Sequence, residues 1–548
     1  MHIKTRHQPM KWSREALAVA ALGGAALLGS TPAWSQAGDL TEASPVVSTD
    51  RGDVVGTRMG TINAFLGVPY AAPPVGNLRF RPPRQHAFWT TPVQATQVAQ
   101  PCSQNRQAGA NGPVPIGSED CLYLNVRTPA QNSSERRPVM VWIPGGGFQQ
   151  GGATFPYYNS QYIAEQAGVV VVTVTYRVGA LGFLTAPALD KESPAEVSGN
   201  YGLQDQQAAL RWVRRNIAAF GGDAQNVTVF GESAGGNSVE YQLVSPLSRG
   251  LFKQAIIESA ASLQLIPDLP LAASEDAGSG TVIASVGCAD AADVAACLRA
   301  LPASAFLRAS GTTEPVIDGY VLPLRPLQAF RSGAFHHVPT IIGSTHDEAT
   351  AFVWPIEAAL NGPLTPDGYT AQLNKMYGTN APAVLEQYPL SAYLTPIDAL
   401  AAAETDSALA CPAALKRKAL SRHVPVFGFE FNEPNPAQGP LLGPPEPGLD
   451  YGAYHTSDLP YVFGVTAPNG DRVTGKDLAL SQRIITYWTN LAISGNPDLP
   501  TFQLPFWIDY RAQPLLLSLK DQVTYLPESQ FGADHHCTFW NPILSDNS

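Results

Sequence analysis

Short runs of consecutive apolar, β-branched residues recur along the chain, at Val139–Ile143, Val169–Thr175, Asn226–Phe230, Thr340–Ile342 and Val424–Phe431. A strand with one wet face alternates apolar and polar positions. These runs do not alternate, so each predicts a strand covered on both faces of a sheet. Between them the period lengthens to that of a helix. Leu203, Ala208, Leu210, Val213 and Ile217 fall largely on one face of a helix predicted over 202–220. Leu480, Ile484, Ile485, Trp488, Leu491 and Ala492 do the same over 478–493. Strands alternating with helices predict an α/β fold, a doubly wound and mostly parallel sheet with helices on both faces. Two stretches break the pattern. Residues 267–335, rich in Ala, Pro and Gly, predict an excursion from the sheet, and the prolines of 434–448 predict a loop.

The N-terminus follows a different logic. Lys4, Arg6, Lys11 and Arg14 precede an apolar run from Ala16 to Leu28, and small residues follow. Ala33/Ser35 or Ser35/Ala37 suits a signal-peptide cleavage, so residues 1–37 are expected to be removed on export to the periplasm or the medium. The run is too short to cross a bilayer, and no later one reaches about 18 apolar residues, so no stable membrane anchor is expected. Residues 38–548 are then the mature chain. The length of 548 residues allows three or four domains as a prior, at about 100–200 residues each. No repeat or hydrophilic linker divides the pattern, which favours one large domain with insertions.

Composition removes other classes. With 45% hydrophobic and 14% charged residues, the chain has ample material for a core, which argues against disorder. A net charge of −11 without Lys/Arg blocks excludes a phosphate-binding nucleic-acid surface. Six cysteines remain: Cys102, Cys121, Cys288, Cys297, Cys411 and Cys537. In an exported chain they predict three disulfides, with 15 possible connectivities. No C-x-x-C pair or His/Cys cluster at zinc spacing is present in sequence, so no metal is expected. No dinucleotide fingerprint or P-loop occurs either, and no organic cofactor is expected.

The strongest local chemistry is Gly231-Glu-Ser-Ala-Gly235, directly after a predicted strand and before a helical stretch. A serine on so tight a turn has crowded backbone torsions that flanking glycines relieve. Its hydroxyl then projects at the sheet's carboxyl edge beside a helix N-terminus. Such a nucleophile needs a base, and the base an orienting acid. Of the histidines, His86, His423, His535 and His536 have no supporting pattern, His336 and His337 read as solvated, and His346 sits in a turn. His455 stands out, in a loop after the Val424–Phe431 strand. Asp347 and Glu348 both follow the Thr340–Ile342 strand and both remain open as the acid. Pro144-Gly-Gly-Gly-Phe148, after the Val139–Ile143 strand, offers backbone N–H groups to an oxyanion with no side chain in the way.

These residues carry a resemblance to the type-B carboxylesterases, the α/β-hydrolase family that includes cholinesterases, bacterial para-nitrobenzyl esterases and fungal lipases. Phe220 to Gly236 (FGGDAQNVTVFGESAGG) and Glu119 to Val126 (EDCLYLNV) resemble the two family signatures. Gly67 to Pro74, Leu78-Arg-Phe80 and Tyr176-Arg-Val178 are further family-like segments, and the likeness runs from about residue 50 to 543. It implies an α/β-hydrolase fold and a serine esterase of the bacterial secreted type, acting on small-molecule esters. Ser233, Glu348 and His455 would form the triad, with the N–H groups of Gly146, Gly147 and Ala234 as the oxyanion hole. Ser259 would buttress the histidine, and Glu232 and Asp458 would support the site. It further implies the pairs Cys102–Cys121, Cys288–Cys297 and Cys411–Cys537. Oligomeric state is not legible from either source.

Departures from the family shape the substrate expectation. Pro144 stands where many relatives have His, but the donors there are backbone groups. In cholinesterases the loop corresponding to Cys102–Cys121 contributes a choline-binding tryptophan, whereas Ser103–Asp120 here holds no aromatic residue. Ala309–Glu314 is small and polar where cholinesterases place acyl-pocket phenylalanines, which implies a wide acyl site for small to medium, mainly apolar esters. A lipase or a polyester or xenobiotic esterase is the alternative. A non-catalytic binding protein of the same fold is a more remote one, because all three triad residues are present.

Overall fold

The apolar runs become the middle of an 11-stranded sheet. The computed structural model describes residues 44–107, 113–130, 136–261, 269–360, 362–439, 450–498 and 504–546. The expected export signal and most of the 434–448 loop lie outside the described residues; 434–439 forms neither helix nor strand. In chain order the strands of the sheet are β1 (Thr57–Met59), β2 (Ile62–Pro69), β3 (Tyr123–Pro129), β4 (Arg137–Ile143), β5 (Val170–Val174) and β6 (Gly222–Glu232). They continue as β7 (Gln254–Glu258), β8 (Thr340–Thr345), β9 (Val426–Phe431), β10 (Leu515–Leu519) and β11 (Thr524–Pro527). Their spatial order is β11-β10-β9-β8-β7-β6-β4-β5-β3-β2-β1. From β10 to β5 every neighbouring pair is parallel, and antiparallel strands close both edges. This is the mixed sheet of an α/β-hydrolase, with the parallel part in the middle.

The lack of alternation has the expected cause. Val139, Val141 and Ile143 join one core while Met140 and Trp142 join another on the opposite face. Along β5, Val170, Val172 and Val174 go one way and Val171 the other. Helix α1 (Tyr201–Asn216) packs Leu203, Leu210, Trp212 and Val213 into the first core. Helix α5 (Gly475–Ser494) buries Ile484, Ile485, Trp488 and Leu491 in the second. The helix predicted over 202–220 changes to a tighter 3₁₀ turn at Ile217–Phe220 and stops at Gly221. Gly221 takes the left-handed φ of 85° that ends helices.

The excursion predicted over 267–335 contains several short helices. Leu298 and Phe306 pack with Leu181, Leu184 and Tyr201 into a third, smaller core. All six cysteines pair, as Cys102–Cys121, Cys288–Cys297 and Cys411–Cys537. No helix among the described residues is long and apolar enough to cross a membrane.

Candidate active site

Ser233 lies between β6 and helix α2 (Ala234–Val244). Its φ of 58° and ψ of −128° are a conformation that residues with a Cβ avoid. Neighbouring structure holds the turn there. The Ser233 N–H donates to the Glu258 carbonyl at 3.0 Å, and the helix begins with Asn237 N–H donating to the Ser233 carbonyl at 2.9 Å. Gly235 is needed for close approach: a Cβ there would sit 2.1 Å from the Ile143 carbonyl oxygen. That contact brings the turn against the end of β4, where the glycine run begins. The serine itself remains partly exposed, unlike the buried Glu232 and Ala234 beside it.

The glycine run is held from several sides. Gly146 has φ 118°, and its carbonyl accepts from Gln149 and Gln150 N–H. Tyr176 donates its phenol proton to the Pro144 carbonyl at 2.7 Å. Gln104 exchanges two hydrogen bonds of 2.8 Å with the backbone of Gly151. A Cβ built on Gly147, where φ is 61°, would meet nothing within 4 Å.

His455 reaches this edge from the chain after β9, and Glu348 from the turn after β8. The imidazole Nδ1 lies 2.5 Å from Glu348 Oε2, and the other carboxylate oxygen, Oε1, accepts from Thr345 N–H. Asp347, the neighbour that sequence alone left open as the acid, turns elsewhere: Oδ2 accepts from Ala453 N–H and Oδ1 meets His346 Nδ1. Phe352, on helix α3 (Thr350–Leu360), lies against the His455 ring at 4.8 Å. Nε2 of His455 faces Glu232 Oε1 at 3.1 Å and makes no well-angled hydrogen bond. Hydrogen bonds of a catalytic serine often tighten only when substrate is bound.

Three buried carboxyl groups, those of Glu232, Glu348 and Asp458, act on this imidazole, and a fourth buried one, that of Glu258, feels the charges of Asp458 and Glu232. Burial pushes Glu232 and Asp458 above the ordinary carboxylate range, against the attraction of His455. Glu258 is raised further by burial and by the Asp458 charge, although Trp488 Nε1 donates to it at 2.8 Å. Burial alone would lower His455, but the charges of Glu232, Glu348 and Asp458 outweigh it and raise its pKa to about 9. The arrangement therefore favours a positive imidazolium.

Ser233, Glu348, His455, Glu232 and Asp458 thus gather at one edge with the Gly146–Gly147 loop. Ser259, after β7, is also buried and has φ 50°, but its Oγ has no hydrogen-bond partner among the described residues. Glu258, Phe352 and Gln104 were not singled out in the sequence, and Trp488 stood out only as part of a helix face. Glu258 carried a signal of sorts, a carboxylate ending an otherwise apolar strand. His336, expected to be solvated, is partly buried and holds the Ser245 carbonyl through Nε2.

A model of the "Carboxylesterase family" matches residues 43–540. Among curated proteins the chain is 35% identical to a fumonisin B1 esterase of Sphingopyxis macrogoltabida over 488 residues, which cover 87% of this chain and 86% of the relative. It is 34% identical to the para-nitrobenzyl esterase of Bacillus subtilis over 500 residues, 88% and 97% of the two chains. It is 32% identical to a juvenile hormone esterase of Tribolium castaneum over 511 residues, 84% and 85% of the two chains.

Proposed function

The chain belongs to the carboxylesterase family and is a carboxylic ester hydrolase, and from that premise we propose that it works through a Ser233 acyl-enzyme. Ser233 Oγ attacks the ester carbonyl and His455 takes its proton. Glu348 orients the ring and stabilises the imidazolium, and the N–H groups of Gly146, Gly147 and Ala234 receive the developing oxyanion. His455 then returns the proton to the leaving alkoxide, and a water activated the same way releases the acid. The observation that carries this reading is the 2.5 Å contact of His455 with Glu348, at the same sheet edge as a serine with positive φ.

The acyl group is proposed to be larger than acetyl. A cleft of about 280 Å³ lies beside the oxyanion loop, between Gln149, Gln150 and the small residues Ala309, Gly311 and Thr313. The relatives' names span fumonisin B1, para-nitrobenzyl and juvenile hormone esterases, which supports a pocket that tolerates bulk. The mature chain is proposed to act outside the cytoplasm. The signal-like N-terminus supports that placement, as do three disulfides, which persist in oxidising compartments.

Ser233→Ala is expected to cut kcat by several orders of magnitude with the circular dichroism unchanged, and to abolish labelling by a serine-directed phosphonate. A labelled or active variant would overturn the nucleophile. A turnover series from acetyl to longer acyl esters is expected to stay level or rise; a steep fall beyond acetyl would overturn the wide acyl site.

A further inference from the structure

Away from the serine, three residues distant in sequence converge: His346 just past β8, Glu430 on β9, and His535 ahead of helix α6 (Cys537–Asp546). Each offers one donor atom, and the three atoms lie within 4.8 Å of one another. The geometry points to a site for one divalent transition-metal ion, of the zinc type, held by His346, Glu430 and His535.

Both histidines already carry the outer support of a metal ligand. His535 Nε2 lies 2.9 Å from Glu430 Oε1, while its Nδ1 is fixed by Asp406 Oδ1 at 2.7 Å. Asp406 is itself held by the Tyr388 hydroxyl at 2.7 Å and by His536 Nδ1 at 3.1 Å. His346 repeats the pattern, with Nδ1 against Asp347 Oδ1 at 2.9 Å, leaving Nε2 for a ligand. Glu430 is steadied through Oε2 by Asn432 Nδ2 at 3.2 Å. A carboxylate on the far nitrogen of each histidine is the usual outer support of a metal-bound imidazole, fixing its tautomer and raising its basicity.

Two imidazoles and one carboxylate are a common zinc donor set that leaves a fourth position to water. With bonds of about 2.0–2.2 Å, neighbouring ligand atoms of a tetrahedral ion stand roughly 3.4 Å apart. His535 and Glu430 already lie near that spacing. The half-exposed His346 closes the remainder by a side-chain rotation and leaves the ion a route from solvent. Binding forms two N–metal bonds and one O–metal bond, and the proton between His535 Nε2 and Glu430 Oε1 leaves to solvent. The ion would join the ends of β8 and β9 to the C-terminal helix, beside the Cys411–Cys537 disulfide. Through Asp347 and its bond to Ala453 N–H it would also stiffen the segments that carry Glu348 and His455.

Equilibrium dialysis of the purified chain against Zn²⁺, with Co²⁺ as a spectroscopic substitute, tests the site. The expected result is one ion per chain, an intense four-coordinate Co²⁺ spectrum, and a thermal midpoint raised by excess Zn²⁺. His346→Ala and Glu430→Gln should each weaken Zn²⁺ binding by more than ~10-fold, at least the loss seen when an outer-shell partner is removed. His346 is partly exposed, so its variant reports on binding even if the Glu430 variant fails to fold. The exposed His337 and the partly buried His423, with rings 5.5 Å apart, are the alternative histidine pair for adventitious zinc. Loss of binding in His423→Ala, retention in His346→Ala, or no saturable binding to the wild-type chain would overturn the site.

Discussion

At His455 one imidazole answers to several acids, and as the proposed base for Ser233 its protonation would set the acid limit of the reaction. A general base must be neutral to accept the serine proton. Its pKa, raised to about 9, means that kcat/KM should fall as pH drops through that region, not through the ordinary histidine range. Glu232 lies nearest the reactive nitrogen, at 3.1 Å. Glu232→Gln removes a negative charge that favours the imidazolium, so the acid limb should move to lower pH. A pH profile of kcat/KM with a para-nitrophenyl ester measures this; an unmoved limb would refute the electrostatic account. Residue identity also decided between neighbours here. Asp347 and Glu348 are equivalent in sequence, yet one secures Ala453 and the other His455. Which way each carboxylate turns depends on a loop about a hundred residues downstream.

At the scale of elements, three parts of the candidate site directly follow a parallel strand, and His455 comes after a longer segment beyond β9. The glycine run follows β4, Ser233 follows β6, Glu348 follows β8 and His455 follows β9, so parallel pairing alone puts them at one edge. These strand-to-loop junctions were legible because they are local: an apolar run, then glycine or a turn. The opposite face contributes as well. Helix α5 (Gly475–Ser494) covers the second core and sends Trp488 to Glu258, a contact across 230 residues that no local pattern contains. The loop proposed as the oxyanion hole gives a prediction at this scale. A Cβ on Gly146 would lie 2.3 Å from the Gln150 carbonyl oxygen, on a backbone with φ 118°. Gly146→Ala should therefore displace a donor N–H and lower kcat by about 10²–10³, the usual effect of losing one such donor. Single-turnover acylation kinetics check it, with far-UV circular dichroism unchanged.

Over the whole molecule, cores on both faces of the sheet supply the bulk of the cohesion, and the Cys102–Cys121 and Cys411–Cys537 disulfides add covalent constraint inside the first of them. Cys411–Cys537 spans 126 residues, between helix α4 (Cys411–Leu420) and α6. Closing so long a loop removes much chain entropy from the unfolded state. Replacing both cysteines by serine should lower unfolding stability by roughly 2–5 kcal/mol, read as an earlier urea midpoint. Activity at 25 °C should survive, since neither sulfur touches the candidate site.

Sequence by itself determined the α/β class, the buried strands, the turn that carries Ser233 and the candidacy of His455. Each of these is written in a period or a pentapeptide, because backbone geometry over a few residues decides it. Family resemblance added the disulfide partners and the choice of Glu348. Only the tertiary structure decided the company each side chain keeps. Three acids act on one imidazole, and His535, without any pattern around it in sequence, meets Asp406 and Glu430 in a buried cluster. Those meetings follow from the register of strands and the packing of helices far apart in the chain, and burial then multiplies their electrostatic effect.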